Sequence, residues 1–181
     1  MPEMPDTPDA APDDAPDTSH DAPTDRPRLR VLVDQPEIPG NTGNMIRLAA
    51  VTGAELHLAE PLGFDFADAK LRRAGLDYHD LAVLTVHPDL ETALERLRPE
   101  RLFAFTGEGT TSHTAIDYRD GDVLLFGRES TGLDDEVKAD ARVTDLVRIP
   151  MLPSRRSLNL ANSVSIAVYE AWRQQGFDGA A

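Results

Sequence analysis

Residues Arg148 to Gln174 read RIPMLPSRRSLNLANSVSIAVYEAWRQ, a strand, a polar loop and an amphipathic helix in unbroken succession. The strand is predicted from Leu146 to Met151, Pro153 breaks it, Ser154 to Ser157 form the loop, and a helical period begins near Leu158. At that period Leu160, Val164, Val168 and Ala171 share a core-facing stripe, while Asn162, Ile166, Tyr169 and Arg173 share a second one. A stripe that mixes Asn and Tyr with Ile suits a contact surface or a site better than bulk solvent. A capped helix with a snorkelling Tyr accounts for the same residues, and this segment alone does not decide between the two.

Working outward, short apolar runs alternate with helical patterns from Leu29 onward. LRVLVDQ (Leu29 to Gln35), a helix over Asn41 to Thr52, and ELHLAE (Glu55 to Glu60) make a β-α-β opening. Further strands are predicted over Ala82 to Val86, Leu102 to Thr106 and Val123 to Phe126, and further helices over Ala67 to Ala74, Asp89 to Leu97, Asp134 to Ala139 and Leu158 to Gln175. Strands interleaved with helices predict an α/β fold, a mostly parallel sheet covered by helices on both faces. Ligands of such sheets bind at the carboxyl ends of the strands.

Composition narrows the function classes. With 181 residues, 40% of them hydrophobic, the chain suffices for one well-filled domain, and it has no apolar run long enough to span a membrane. It has no cysteine, which excludes disulfides, thiolate metal sites and thiol nucleophiles, and its five histidines show no metal-ligand spacing, so no metal is expected. A cytoplasmic protein with no membrane partner fits this usage. Up to Asp25 the chain carries eight acidic residues, six prolines and no Lys or Arg, a composition that cannot bury enough to fold. The expected organisation is therefore a disordered acidic tail over 1–27, one domain over 28–177, and a short tail over 178–181. Of the net charge of -14, eight negative charges lie in the first tail, so a polyanionic ligand would need local basic patches. Candidates are Lys70, Arg72 and Arg73, then Arg96, Arg98 and Arg101, then Arg155 and Arg156, although such clusters are also ordinary solvated faces.

Three loops carry the candidate chemistry. PEIPGNTGN (Pro36 to Asn44) joins the first strand to the first helix, where Asn41 or Thr42 can cap the exposed amides and Arg47 lies one turn further on. It is neither a dinucleotide fingerprint nor a phosphate-binding P-loop, since GxGxxG and GK[ST] are both missing. GRESTGL (Gly127 to Leu133) follows the strand VLLF, and its two glycines let the backbone approach a ligand, with Glu129 orienting the loop or accepting from a ligand amine. The third is Leu152 to Asn159. Each of these loops is also explained by an ordinary turn. All three follow strands, so a topology that sets those strands side by side brings the loops to one rim.

Taken together and in order, PEIPGNTGNMIRL, LRRAGLDYH (Leu71 to His79), RLFAFT (Arg101 to Thr106), DGDVLLFGRESTGL and the opening segment resemble the SPOUT superfamily of S-adenosylmethionine-dependent RNA methyltransferases. Within it they look like the YibK-type (TrmL) family, which methylates the ribose 2'-OH of the tRNA wobble nucleotide. The resemblance covers Leu29 to Gly176 and leaves out the acidic tail. It implies a SPOUT fold with a C-terminal trefoil knot, a homodimer, S-adenosylmethionine as methyl donor with S-adenosylhomocysteine as product, and the tRNA anticodon stem-loop as RNA partner. Residue by residue, it assigns the donor to Phe105, Thr106, Gly127, Glu129, Gly132, Ile149, Leu152, Ser157 and Asn159. It assigns catalysis to Arg47, Asn44, Tyr169 and Asn162, and phosphate contacts to Arg47, Arg72, Arg73 and Arg155. Arg155 departs from the small polar residue expected of relatives.

The implied reaction is an in-line displacement, with the 2'-OH about 3 to 3.5 Å from the methyl. A hydroxyl is a weak nucleophile at neutral pH, so its proton must be taken or shared and the developing oxyanion stabilised. Arg47 is the expected residue for this, and a guanidinium stabilises an oxyanion or holds a phosphate more readily than it acts as a base. The alternatives are a SPOUT enzyme acting on another RNA such as rRNA, a non-catalytic RNA-binding SPOUT protein, and a flavodoxin-like nucleotide-binding domain.

Overall fold

The computed structural model describes residues 29–65, 84–153 and 157–181. The acidic tail, the helix predicted at Ala67 to Ala74, the segment from Leu71 to His79, and Lys70, Arg72, Arg73, Arg155 and Arg156 lie outside the described residues.

Seven parallel strands form one sheet: β1 (Arg30–Asp34), β2 (Glu55–Ala59), β3 (Leu84–His87), β4 (Leu102–Phe105), β5 (Thr111–Ser112), β6 (Val123–Phe126) and β7 (Val143–Arg148). Their order is β3-β2-β1-β6-β4-β7-β5. The inner strands β4 and β6 are buried at every position, LFAF and VLLF, which is why they read as continuous apolar runs and not as an alternation.

Among the described residues, four α-helices cover the sheet. α1 (Pro39–Thr52) and α4 (Leu160–Gln174) pack against each other on one face, with Met45, Ile46, Ala49, Val164, Val168 and Ala171 in the same cluster as Val31, Val33, Leu124 and Phe126. α2 (Leu90–Leu97) lies on the other face, where Ala93, Leu94 and Leu97 meet Leu32, Leu102, Ala104 and Leu125, and Val137 of the short α3 (Asp135–Lys138) packs there too.

The helix ends follow from local chemistry. Asp89 caps α2 by accepting from Thr92 N at 2.6 Å, and Asn159 caps α4 by accepting from Asn162 N at 3.2 Å. α1 starts two residues earlier than expected. Pro39, with its fixed φ and missing N–H, occupies the first turn, Ile38 is the cap residue, and no side chain caps the amides. Asn41 and Thr42 are thus inside the helix and buried, and the capping role expected of them is corrected.

Candidate active site

The strands β1, β6, β4 and β7 are consecutive in the sheet and parallel, so the segments that follow them emerge at one edge. Between these segments lies a cavity of about 650 Å³, a size typical of small-molecule sites. Its apolar wall includes Phe105 and Phe126, stacked at 4.6 Å between ring centroids, with Val147 and Ile149 beside them. Its polar wall is built from Thr106 to Glu108, Gly127 to Gly132, Ser157 and Asn159. Of the residues assigned to the donor, Phe105, Thr106, Gly127, Glu129, Gly132, Ile149, Ser157 and Asn159 all line this cavity. Leu152 is not part of the lining and is 72% exposed.

Two glycines permit the loops to close. A Cβ on Gly127 would stand 2.2 Å from the Gly132 carbonyl carbon and 2.3 Å from Leu133 N, so the loop that folds back through the Arg128–Gly132 bridge needs glycine there. Gly109, which the sequence did not single out, presses on β7 in the same way, with an added Cβ 2.6 Å from the Val147 carbonyl carbon.

A chain of hydrogen bonds ties three of the segments together. Glu129 accepts from Glu37 N at 2.7 Å, Ile38 N at 3.2 Å and Asn41 Nδ2 at 2.8 Å. Asn159 Nδ2 donates to Asn41 Oδ1 at 2.8 Å, while Asn159 Oδ1 caps α4. Glu37 in turn accepts from Ser130 N at 2.9 Å and Ser130 Oγ at 2.8 Å. Glu129 thus accepts from two backbone amides and one side-chain amide of the first loop, which holds the two loops together. Glu37 and Asn41 are structural partners that the sequence reading missed, since their partners lie about ninety or more residues away.

The charges around the site are also partnered. Lys138 joins α3 to the β4 segment, with Nζ 2.6 Å from Glu108 Oε2 and 2.7 Å from Asp135 Oδ1. These carboxylates raise the Lys138 pKa. Asp34, at the end of β1 and 2% exposed, has its carboxyl pKa raised by burial, with Arg128 opposing that shift and Asp134 adding to it. Arg128 itself bonds Asp134.

Asn44 and Arg47 lie on α1, and Asn162 and Tyr169 on α4. All four are exposed, and none lines the cavity. The Asn41–Asn159 bond joins the starts of the two helices that carry them, so the cavity and this surface share one junction. The mixed stripe of α4 is exposed as read, with Ile166 at 38% and Tyr169 at 45%, and Tyr169 is edge-on to Trp172.

Comparison with known proteins agrees with this geometry. Residues 28–169 match the model of the SpoU rRNA Methylase family. The tRNA (cytidine(34)-2'-O)-methyltransferase of Escherichia coli strain K12 is 51% identical over 152 residues, which cover 84% of this chain and 97% of that protein. A solved structure described as giving insights into the 2-OH methylation of C/U34 on tRNA superposes with a TM-score of 0.76 at 47% identity, over 83% of this chain and 97% of that one. The AviRb methyltransferase of Streptomyces viridochromogenes, solved with AdoMet, has a TM-score of 0.74 at 28% identity over 86% of this chain and 63% of its own.

Proposed function

Because the chain belongs to the SpoU rRNA methylase family, we propose that it catalyses S-adenosylmethionine-dependent 2'-O-methylation of the wobble nucleotide of tRNA, cytidine or a modified uridine at position 34. The observation that carries this reading is the cavity formed by the segments after β1, β4, β6 and β7, joined by one hydrogen-bonded junction to the surface of α1 and α4. The cavity fits the donor: an apolar slot of Phe105, Phe126, Val147 and Ile149 suits a purine, and backbone amides and carbonyls from Thr106 and Gly127 to Gly132 suit its polar edges. When bound, the donor supplies an electrophilic methyl on a sulfonium.

The protein's own contribution is orientation and charge. Arg47 offers donors and no acceptor, which suits a developing 2'-oxyanion or the adjacent phosphate. Asn44, Asn162 and Tyr169, on the same pair of packed helices, orient the ribose or Arg47. Arg72, Arg73 and Arg155 are proposed phosphate contacts. A wobble nucleotide lies in a single-stranded loop, so its 2'-OH is reached without opening a duplex.

The same reading includes a homodimer, with α4 at its interface, supported by the exposed Ile166 and Tyr169. It also includes a C-terminal knot, supported by the placing of β6 between β1 and β4, out of chain order. A cytoplasmic location is consistent with a tRNA substrate. No helix among the described residues is long and apolar enough to cross a membrane.

The test is ribose-methylation mapping of tRNA and rRNA from a deletion strain, followed by restoration with purified protein. Loss at position 34 of tRNA that the protein restores is the expected result. Loss confined to rRNA would move the substrate there, as the family's name allows.

A further inference from the structure

The chain is net negative even without its acidic tail, so a contact with RNA phosphates depends on cations that no carboxylate already neutralises. Arg101, Arg119, Arg128, Lys138, Arg142 and Arg173 all sit in ion pairs with carboxylates, and Arg30 donates to the Leu97 and Gly121 carbonyls. Arg96, Arg98 and Arg148 differ. They are exposed, and their guanidinium groups have neither ion pair nor hydrogen bond among the described residues.

Topology separates these three. Arg96 and Arg98 end α2 beside the amino ends of the strands, where Arg30, the first residue of β1, bonds the Leu97 carbonyl. Arg148 is the last residue of β7, at the carboxyl edge that holds the cavity, and the residue after it, Ile149, lines that cavity. Arg148 itself is not in the lining. Its side chain lies on the sheet face opposite to that of Val147, which is buried in the cluster with α1 and α4. Asp145, three residues back, is on the Val147 face and already accepts from Thr111 Oγ1 at 2.8 Å, so it leaves Arg148 unneutralised. The register partner of Arg148 on β5 is Ser112, whose Oγ is 3.0 Å from Thr114 Oγ1. A free guanidinium flanked by hydroxyls on an open edge is the donor set that phosphate oxygens accept from.

We propose that Arg148, with Ser112 and Thr114 beside it, holds a backbone phosphate of the RNA that flanks the target nucleotide. This rests on the function proposed above and adds a substrate contact at the sheet edge. Arg148 and the cavity lie on different faces of that edge, so the phosphate belongs to a neighbouring nucleotide and not to the reacting ribose. Such a contact fixes where the RNA lies and carries no information about the base. It acts on RNA affinity and not on the chemical step, and it weakens with salt, because each neutralised phosphate releases counterions.

The experiment uses the full-length protein and a fluorescently labelled anticodon stem-loop RNA, with binding read by anisotropy from about 50 to 200 mM salt and methyl transfer measured beside it. The proteins are wild type, Arg148→Gln, Arg148→Lys and Arg98→Gln. Arg148→Gln is expected to weaken RNA binding by about three- to tenfold at low salt and to reduce the slope of log affinity against log salt by about 0.7 to 0.9, with kcat and donor affinity within about twofold of wild type. Arg148→Lys should keep the slope, since it keeps the charge. Arg98→Gln, at the far edge, should match wild type in both. An unchanged slope in Arg148→Gln overturns the proposal, and so does an equal loss in Arg98→Gln, which would make the effect one of net charge. A parallel fall in donor affinity gives Arg148 to the cavity wall, a shift in oligomeric state by sedimentation gives it to a second copy of the chain, and either overturns the proposal. If wild type binds the RNA without methylating it, the proposed function fails, while the slopes still decide the role of Arg148.

Discussion

Asn41 on α1 and Glu129 in the loop after β6 are joined by a 2.8 Å hydrogen bond between residues 88 positions apart. Asn41 passes the connection on to Asn159 at the start of α4, so the wall of the cavity and the two helices bearing the candidate catalytic residues are positioned by one set of bonds. Glu129 takes three donors on two oxygens, and a carboxylate, which only accepts, is the side chain that suits this junction.

Glu129→Gln replaces one of those oxygens with an NH2 that faces N–H donors. One or more partly buried donors then lose a partner, at a cost of about 1 kcal/mol. The expected outcome is weaker S-adenosylmethionine binding, by several-fold, with a lowered melting temperature. Calorimetric titration beside thermal unfolding checks it. Unchanged affinity would mean that the junction does not shape the cavity.

Gly127→Ala tests the loop more sharply. Its methyl would overlap the backbone of Gly132 and Leu133, which are not flexible side-chain ends, so the loop must open. Donor binding should be lost, while the far-UV spectrum and cooperative unfolding persist, because the sheet and its two clusters do not depend on the closed loop. A variant that binds the donor normally would show that the loop tolerates an open form.

Much of this arrangement was legible in the chain, and its failures have physical causes. VLLF was read to the residue as β6, since a strand buried on both faces is an unbroken apolar run. β7 was read three residues late: its first half, Val143-Thr144-Asp145, looks polar, and Thr144 Oγ1 accepts from Leu102 N at 3.0 Å beside a register shift in the ladder. The predicted end at Met151 fails because Pro150 has no amide to pair. β5, two residues long, carries no period to detect. The loops of the site were visible through their glycines and prolines, and their convergence was conditional on their strands lying side by side, which the strand order realises. The bonds among Glu37, Asn41, Glu129 and Asn159 were not, because loop-to-loop partners leave no local pattern.

Arg47 stands on α1 outside the cavity lining, so its contribution should separate from donor binding. Arg47→Ala is expected to lower methyl transfer by a hundredfold or more, roughly the effect of removing one oxyanion donor, while the dissociation constant for the donor stays within about twofold. Arg47→Lys should restore little, since a point charge does not reproduce the planar guanidinium fork. Single-turnover methylation together with calorimetry makes the comparison, and retained transfer by the Ala variant would remove Arg47 from the reaction.

Away from the site, His57 of β2 and His87 of β3 face each other in the core, with Nδ1 of the first 3.0 Å from Nε2 of the second. Burial, followed by the neighbouring His87, pushes His57 down to about 4, against a smaller raising effect from Glu55, and Arg30 also lowers it. His87 is lowered by burial and by Arg96 of α2. The unfolded chain therefore takes up these protons near pH 6.5 while the folded one does not, so stability is full above that pH and falls as the pH drops towards 4. For His57 alone the loss approaches about 3 kcal/mol at the low end. Asp34, whose pKa is raised on folding, works in the opposite direction and offsets part of the loss. Urea unfolding at pH 7.5, 6 and 5 should show the decline, and His57→Phe should flatten it. Parallel curves for wild type and variant would mean that the pair does not govern stability over this range.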